Sequence, residues 1–308
     1  MKNFAEKYKG KSVLVTGACG FIGGHLLSML LPYCREIHAT DLQRDDSQKS
    51  AANLHWHRAD IRDGKEISRI VGRAKPDFIF HLAAKLPRYG DATINEMLEV
   101  NFIGTLNLLR ALEKVKFSKM VFMGSAAEYG IAPVSHKEDQ ELRPVNPYGV
   151  SKAAATQLCL AHAKKYNYPI VILRPTTVYG CGEAGRIFLP AFLLDAINHG
   201  KSFEVKTGYK RDFLYVDDLV EAILLAGIKK ARGVIVNIGT GKSISQRSAA
   251  QLTKKLLRSG AKIKGKLPGL CDILDDSCDV SRAEKLLGWK ARYSLEEGLK
   301  KTLNWRSK

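Results

Sequence analysis

Tyr148 and Lys152 stand four positions apart in Asn146-Pro-Tyr-Gly-Val-Ser-Lys152. Asn followed by Pro marks a helix cap and first turn. On a helix this spacing puts the phenol and the ammonium on one face. A phenol with its ordinary pKa near 10 is a poor base at neutral pH, and a nearby ammonium favours its ionised form. Such a pair is suited to exchange a proton with a sugar hydroxyl while hydride moves to or from a nicotinamide. Solvated helix faces also carry Tyr-x-x-x-Lys, so the reading depends on its surroundings. Ser125, in Met123-Gly-Ser-Ala-Ala-Glu-Tyr-Gly130, follows a strand-like run. The carboxyl end of a parallel strand faces the ligand crevice, where a hydroxyl can bond the reacting oxygen. A plain turn serine is the alternative.

The elements that position these residues begin with a strand, Lys11 to Thr16, which runs into Thr16-Gly-Ala-Cys-Gly-Phe-Ile-Gly23 and an apolar helix from Phe21 to Leu31. Glycines between a strand and a helix suit a dinucleotide loop. Gly17 permits the tight turn, Gly20 the approach of a pyrophosphate, and Gly23 close packing of the helix. The free N–H groups and dipole of the helix start would face the phosphates. The spacing is GxxGxxG. Asp41 ends the next strand, 21 positions after Gly20, where a carboxylate can bond both ribose hydroxyls of NAD. It would repel a 2′-phosphate, so NADP is disfavoured, although Arg44 softens the repulsion. Asp60, with Ile61, is a candidate for the adenine edge, or else a helix cap.

Further strands are read at Glu36–Thr40, Asp77–Leu82, Lys119–Met123 and Ile170–Arg174, with a long amphipathic helix from Asn95 to Lys114. Alternating strands and helices imply a doubly wound α/β parallel sheet of the Rossmann type. The expected domains are a dinucleotide-binding domain over residues 1–175 and a smaller lobe over 176–308, interleaved through a return of 216–240 to the sheet. Lys262 to Lys266 reads as a solvated loop.

The 308 residues include 49 Lys and Arg against 31 Asp and Glu, a net charge of +18. That balance suits anionic partners without choosing among them. The apolar run from Leu26 stops at Pro32, too short to span a membrane. The amino terminus has no signal-peptide core. The six cysteines form no CxxC pair, and Cys271 and Cys278 read as free thiols in a reducing cytoplasm. Gly241-Lys-Ser243 imitates the end of a phosphate loop, but Val236 stands where that motif needs glycine. His55 and His57 read as surface histidines, and no metal is expected. Neither a membrane nor a nucleic acid is an expected partner.

Together these residues resemble the extended short-chain dehydrogenase/reductase family, in its nucleotide-sugar epimerase and dehydratase branch. The likeness spans nearly the whole chain. Beyond the segments above it includes His81-Leu-Ala-Ala84, Asn101, Leu173-Arg-Pro175, Val178-Tyr-Gly180, Arg211-Asp-Phe213, Val216-Asp-Asp218, Asn237-Ile-Gly-Thr-Gly241 and Leu286-Leu-Gly-Trp289. The resemblance implies Ser125, Tyr148 and Lys152 as the catalytic trio. It implies cofactor contacts at Phe21, Ile22, Leu82, Ala83, Ala84 and Asn101, with Tyr148 and Lys152 also at the cofactor. It implies a carboxyl-terminal lobe that holds a nucleoside-diphosphate sugar, with Ser125, Glu128, Thr177 and Arg211 on the substrate side and Arg211 at the phosphates. Relatives of this kind commonly form homodimers.

Two departures narrow the activity. The 4,6-dehydratases of this resemblance carry an acid one or two places after the catalytic hydroxyl, where Ala126 and Ala127 stand here; Glu128 comes one place later. Many epimerases carry Asn where Thr177 precedes Val-Tyr-Gly. The expectation is NAD-dependent hydride transfer at C4 of a nucleotide sugar, first as a 4-epimerase. The alternative is a 4-keto-6-deoxy-sugar reductase, whose Ser-Ala-Ala-Glu-Tyr-Gly stretch is similar. A dehydratase, or a non-catalytic RNA- or dinucleotide-binding relative, ranks below both.

Overall fold

Runs that are apolar on both faces belong inside a parallel sheet covered by helices. The computed structural model describes residues 2–43, 51–87, 93–182, 203–267, 269 and 273–306. It opens with α1 (Lys2–Ala5), β1 (Ser12–Thr16), α2 (Phe21–Leu30), β2 (Glu36–Asp41), β3 (Leu54–Arg58), α3 (Gly64–Ala74) and β4 (Phe78–His81). There follow α4 (Ile94–Leu98), a π-helical turn (Glu99–Ile103), α5 (Gly104–Leu112), β5 (Lys119–Met123), α6 (Pro147–Tyr166) and β6 (Ile170–Pro175). Next come β7 (Thr177–Tyr179), β8 (Phe203–Lys206), β9 (Lys210–Arg211), β10 (Phe213–Tyr215), α7 (Val216–Ile228) and β11 (Val234–Ile238). The chain closes with β12 (Ile244–Ser245), α8 (Gln246–Leu256), β13 (Ile263–Lys266), α9 (Ser281–Leu287) and α10 (Leu295–Arg306).

Seven strands form one sheet in the order β11-β6-β5-β4-β1-β2-β3. Every pairing from β3 to β6 is parallel, so the fold is the expected doubly wound α/β sheet. Chain order reverses at β1, which lies between β4 and β2, and such a switch point opens a crevice at the strand carboxyl ends.

The chain divides into two compact units, residues 1–125, 147–174 and 220–236 in one, and 126–146, 175–219 and 237–308 in the other. Beside the expected boundary at 175 and return of 216–240 stand a break after 174 and a return of 220–236, and the 126–146 segment groups with the second unit. In the first unit, Leu14, Ile79, Met120, Phe122, Ile170 and Ile172 of the sheet pack with Ile67, Ile70 and Val71 of α3, Leu108, Leu109 and Leu112 of α5, and Ala155, Cys159 and Ala163 of α6. Tyr8 joins the same unit, its hydroxyl donating to the Leu224 carbonyl at 2.7 Å. In the second unit, Asp218 accepts the Arg292 and Tyr293 N–H groups at 3.0 Å each, and the Trp289 ring N–H donates to the Asp218 carbonyl. Asp276 and Asp212, described below, order the other end of that unit.

Three expectations need correction. The helix read from Asn95 to Lys114 is interrupted by the π-helical turn, whose extra residue turns Asn101 inward to the Lys85 carbonyl and the Ser151 hydroxyl. Hydrophobic periodicity does not register a one-residue insertion. Lys262 to Lys266 is no loop: Ile263–Lys266 pairs in parallel with β8. Its exposed lysines mask an edge strand whose pairing is set by residues far away in sequence. His55 and His57 are half-buried, and the His57 ring bonds His38 at 2.9 Å, because β3 pairs with β2 and aligns these rings on one face. Arg44 and Cys271 lie outside the described residues. No disulfide joins the five described cysteines, Cys278 included, and no described helix is long and apolar enough to cross a membrane.

Candidate active site

The glycine turn is shaped by what its residues lack. Gly17 has φ +71°, and a Cβ there would sit 2.6 Å from the Ala83 nitrogen and 2.7 Å from the Leu82 carbonyl carbon. A Cβ on Gly23 would strike the Gly17 carbonyl oxygen. Gly20 caps α2 and has no side chain to bond the first turn. The N–H groups of Phe21 and Ile22 lie in that turn, where helix geometry supplies no acceptor. Asp41 braces the turn: one carboxylate oxygen accepts the Cys19 N–H at 3.0 Å, the other the Leu42 N–H at 2.8 Å. A carboxylate has about four acceptor positions, which leaves room for ribose hydroxyls. Asp60 is not the cap of α3, since Asp63 accepts the Lys65 and Glu66 N–H groups there. Asp60 instead takes a two-pronged ion pair from Arg62, which holds its carboxyl below the usual range. With Arg62, Asp63, Glu99 and Ile103 it lines a shallow concavity. Ile61 is buried beneath Gly104.

The catalytic candidates belong to the same unit. Tyr148 and Lys152 lie one turn apart on α6. Lys152 is 2% exposed, its ammonium 4.5 Å from the centre of the Phe122 ring. Half-buried Ser125 follows β5 by two residues, and Gly124 N–H continues the pairing by donating to the Leu173 carbonyl.

A buried polar chain, which the sequence reading missed, runs from β1 to α6. His81 bonds Thr16 through Nδ1 at 2.6 Å and Thr105 through Nε2 at 2.9 Å. The Thr105 hydroxyl donates to the Asn101 carbonyl, so its oxygen is left to accept from Nε2–H. Nδ1 then accepts from Thr16, whose oxygen in turn accepts the Ala83 N–H. This assignment follows from satisfying every donor. Asn101 continues the chain, donating to the Lys85 carbonyl and the Ser151 hydroxyl while accepting the Lys85 N–H. Ser151 donates to the Tyr148 carbonyl at 2.8 Å. His81, with a Thr16 partner at the end of β1, was readable only as a motif letter.

Two substrate-side candidates meet in the second unit. The Thr177 hydroxyl donates to Asp276 at 2.6 Å, and Arg211 Nε lies 3.8 Å from the same carboxylate. Asp212 accepts Thr240 N–H, Thr240 Oγ1–H and Gly241 N–H, at 2.9, 2.6 and 2.9 Å. Burial pushes Asp212 up to about 6 despite these bonds. The Gly-Thr-Gly turn is thus spent on Asp212 rather than on a phosphate. Glu128 is fully buried in a short 3-10 turn with Ala126.

Residues 13–239 match the model of the NAD dependent epimerase/dehydratase family. The chain belongs to this family. A putative UDP-glucose 4-epimerase of Methanocaldococcus jannaschii is 30% identical over 306 residues, covering 95% of this chain and 97% of the relative. A dTDP-D-glucose 4,6-dehydratase of Bos taurus is 30% identical, covering 96% and 88%. The solved UDP-glucuronic acid 4-epimerase of Bacillus cereus, in complex with UDP-glucuronic acid and NAD, superposes with a TM-score of 0.87 at 26% identity, covering 96% and 98%. The family's cofactor is NAD, and the residues present fit it: a turn with glycine at 17, 20 and 23, first-turn N–H groups at Phe21 and Ile22, and a carboxylate at Asp41 with acceptor capacity to spare.

Gly17→Ala is expected to weaken NAD binding at least about tenfold by calorimetry, since even a methyl group there collides with Ala83 and left-handed φ strains alanine. Burial, then the Lys152 charge, pushes His81 down to about 3. The folded chain therefore keeps His81 neutral where the unfolded chain protonates it, near about 6.5. Stability from this group is complete above about pH 6.5 and declines as pH falls toward 3, by at most about 1.4 kcal/mol per unit. His38 and His57, also lowered mainly by burial, act in the same direction. In urea titrations across this range, His81→Asn should show a slope shallower by about one proton, and an unchanged slope would contradict the assignment.

Proposed function

We propose that the chain is a nucleotide-sugar 4-epimerase. The observation that carries this reading is the union, in one compact unit, of a glycine turn after β1 that suits NAD with a Tyr-Lys pair on α6 whose lysine is buried. When bound, NAD supplies a site that accepts a hydride and gives it back. Gly17, Gly20, Phe21, Ile22 and Gly23 would hold its pyrophosphate and Asp41 its ribose, with Asp60 and Ile61 toward the adenine. Leu82, Ala83, Ala84 and Asn101 would border it farther along the crevice.

Tyr148 takes the proton of the C4 hydroxyl as the C4 hydride departs. The Lys152 ammonium, stripped of water, keeps the phenol ionised enough to do so. Ser125 donates a hydrogen bond to the oxygen that becomes a carbonyl. After the 4-keto sugar turns over, the hydride returns to its other face and Tyr148 returns the proton, so the sugar gains and loses nothing except its C4 configuration. Thr177 and Arg211 would hold the nucleoside diphosphate. Ala126 and Ala127 supply no acid or base for eliminating water, which weighs against a dehydratase.

A second reading, reduction of a nucleotide 4-keto-6-deoxy sugar, is favoured by the Ser-Ala-Ala-Glu-Tyr-Gly stretch. The two differ in whether cofactor stays bound. Denaturing the purified chain should release NAD in stoichiometric amount; an empty chain that oxidises added NADH with a 4-keto sugar would establish the reductase instead. Tyr148→Phe should still bind NAD and lose at least about a hundredfold in kcat; wild-type turnover would remove Tyr148 from the reaction.

A further inference from the structure

We infer that Asp276 is a positioning residue that aims the Arg211 guanidinium at the diphosphate of the substrate; the inference rests on the substrate class proposed above. Arg211 lies in the two-residue strand β9, paired antiparallel with β12. Its guanidinium is confined on three sides. It stacks 4.2 Å from the centre of the Tyr209 ring, Nη1 donates to the Lys210 carbonyl at 2.6 Å, and Nε faces Asp276. Among the described residues no acceptor is bonded to Nη2. A guanidinium has five N–H donors in a rigid fork, so fixing the Nε side decides where the remaining edge points.

Asp276 is built to be that fixed point. One carboxylate oxygen accepts the Asp212 N–H at 2.7 Å and the other the Thr177 hydroxyl. The carboxylate is thereby tied to the segment between β9 and β10 and to the start of β7. Its side chain is 13% exposed and that of Arg211 16%, so water screens the pair little. Burial raises the Asp276 carboxyl, and Arg211 is the largest influence opposing that rise. Asp212 and Asp275 do other work: Asp212 holds the Thr240 turn, and Asp275 accepts from the Ser243 hydroxyl and the Ser277 N–H. Thr177 and Arg211 thus share one anchor, although they stand 34 positions apart.

The test is a double-mutant cycle read by calorimetric binding of UDP, with NAD binding measured in parallel. Asp276→Asn should weaken UDP at least about fivefold, and Arg211→Gln at least as much. The double variant should lose clearly less than the sum of the two single losses, because what Asp276 does for Arg211 is already gone once that side chain is removed, leaving only its hold on Thr177. Asp275→Asn should stay within about twofold of wild type, which separates positioning from a general change of charge. NAD affinity should not move in any of them. Should Asp276→Asn fail to fold, Asp276→Ser gives the same readout. An Asp276 variant that binds UDP like wild type, or losses that add in the double variant, would overturn the positioning role. A wild-type chain that binds none of UDP, dTDP, GDP and CDP would overturn the substrate class itself.

Discussion

The bond between Thr16 and His81 sets the geometry on which the candidate site depends. Thr16 is the last residue of β1, where the sheet gives way to the glycine turn, and His81 is the last residue of the neighbouring β4. Their side chains meet at 2.6 Å inside the protein. From that point Thr105, Asn101 and Ser151 carry hydrogen bonds to the backbone of Tyr148. Each group in the chain is buried, and a buried donor or acceptor without a partner costs about 1–3 kcal/mol. The arrangement therefore resists small displacements. A turn for a dinucleotide and a helix bearing a phenol are held in register by polar contacts that have no cheaper alternative.

The same logic accounts for the π-helical turn. A regular helix from 94 to 112 would satisfy its backbone at lower local cost. The extra residue instead brings Asn101 to a place where its amide serves both the 85 segment and α6. Regularity is given up where a functional element must be located, as is common for such turns. Lys152 illustrates a related exchange. An ammonium that is 2% exposed is poorly solvated, and the Phe122 ring beneath it offsets part of that loss. What remains leaves the charge little screened at short range.

In the second unit the ordering groups are carboxylates. Asp212, Asp218 and Asp276 are all buried, and each accepts two or more hydrogen bonds, backbone N–H groups among them. They fasten turns that have few apolar residues of their own. Motif letters such as Asn237-Ile-Gly-Thr-Gly241 acquire a structural meaning here: Gly239 and Gly241 bring the chain against Asp212, where a Cβ on Gly239 would sit 2.6 Å from its carboxylate.

Local chemistry made much of this legible from residues alone. A β-branched run followed by Gly17, Gly20 and Gly23 admits few structures, Asn146-Pro147 starts a helix, and Asp41 closes the second strand. These features depend on neighbours within a few residues or on one repeating unit, so the sequence by itself determined the sheet class, the glycine turn and the placing of Tyr148 and Lys152 one turn apart on a helix. The partners of those residues were not legible. His81 with Thr16, Asn101 with Ser151, and Asp276 with Thr177 and Arg211 lie between 50 and 99 positions apart along the chain. The strand hidden in Ile263–Lys266 likewise needed β8 to exist. Only the tertiary structure decided these contacts, because a buried polar group has no periodicity to betray it and takes its identity from whichever distant atom the fold places within hydrogen-bond reach.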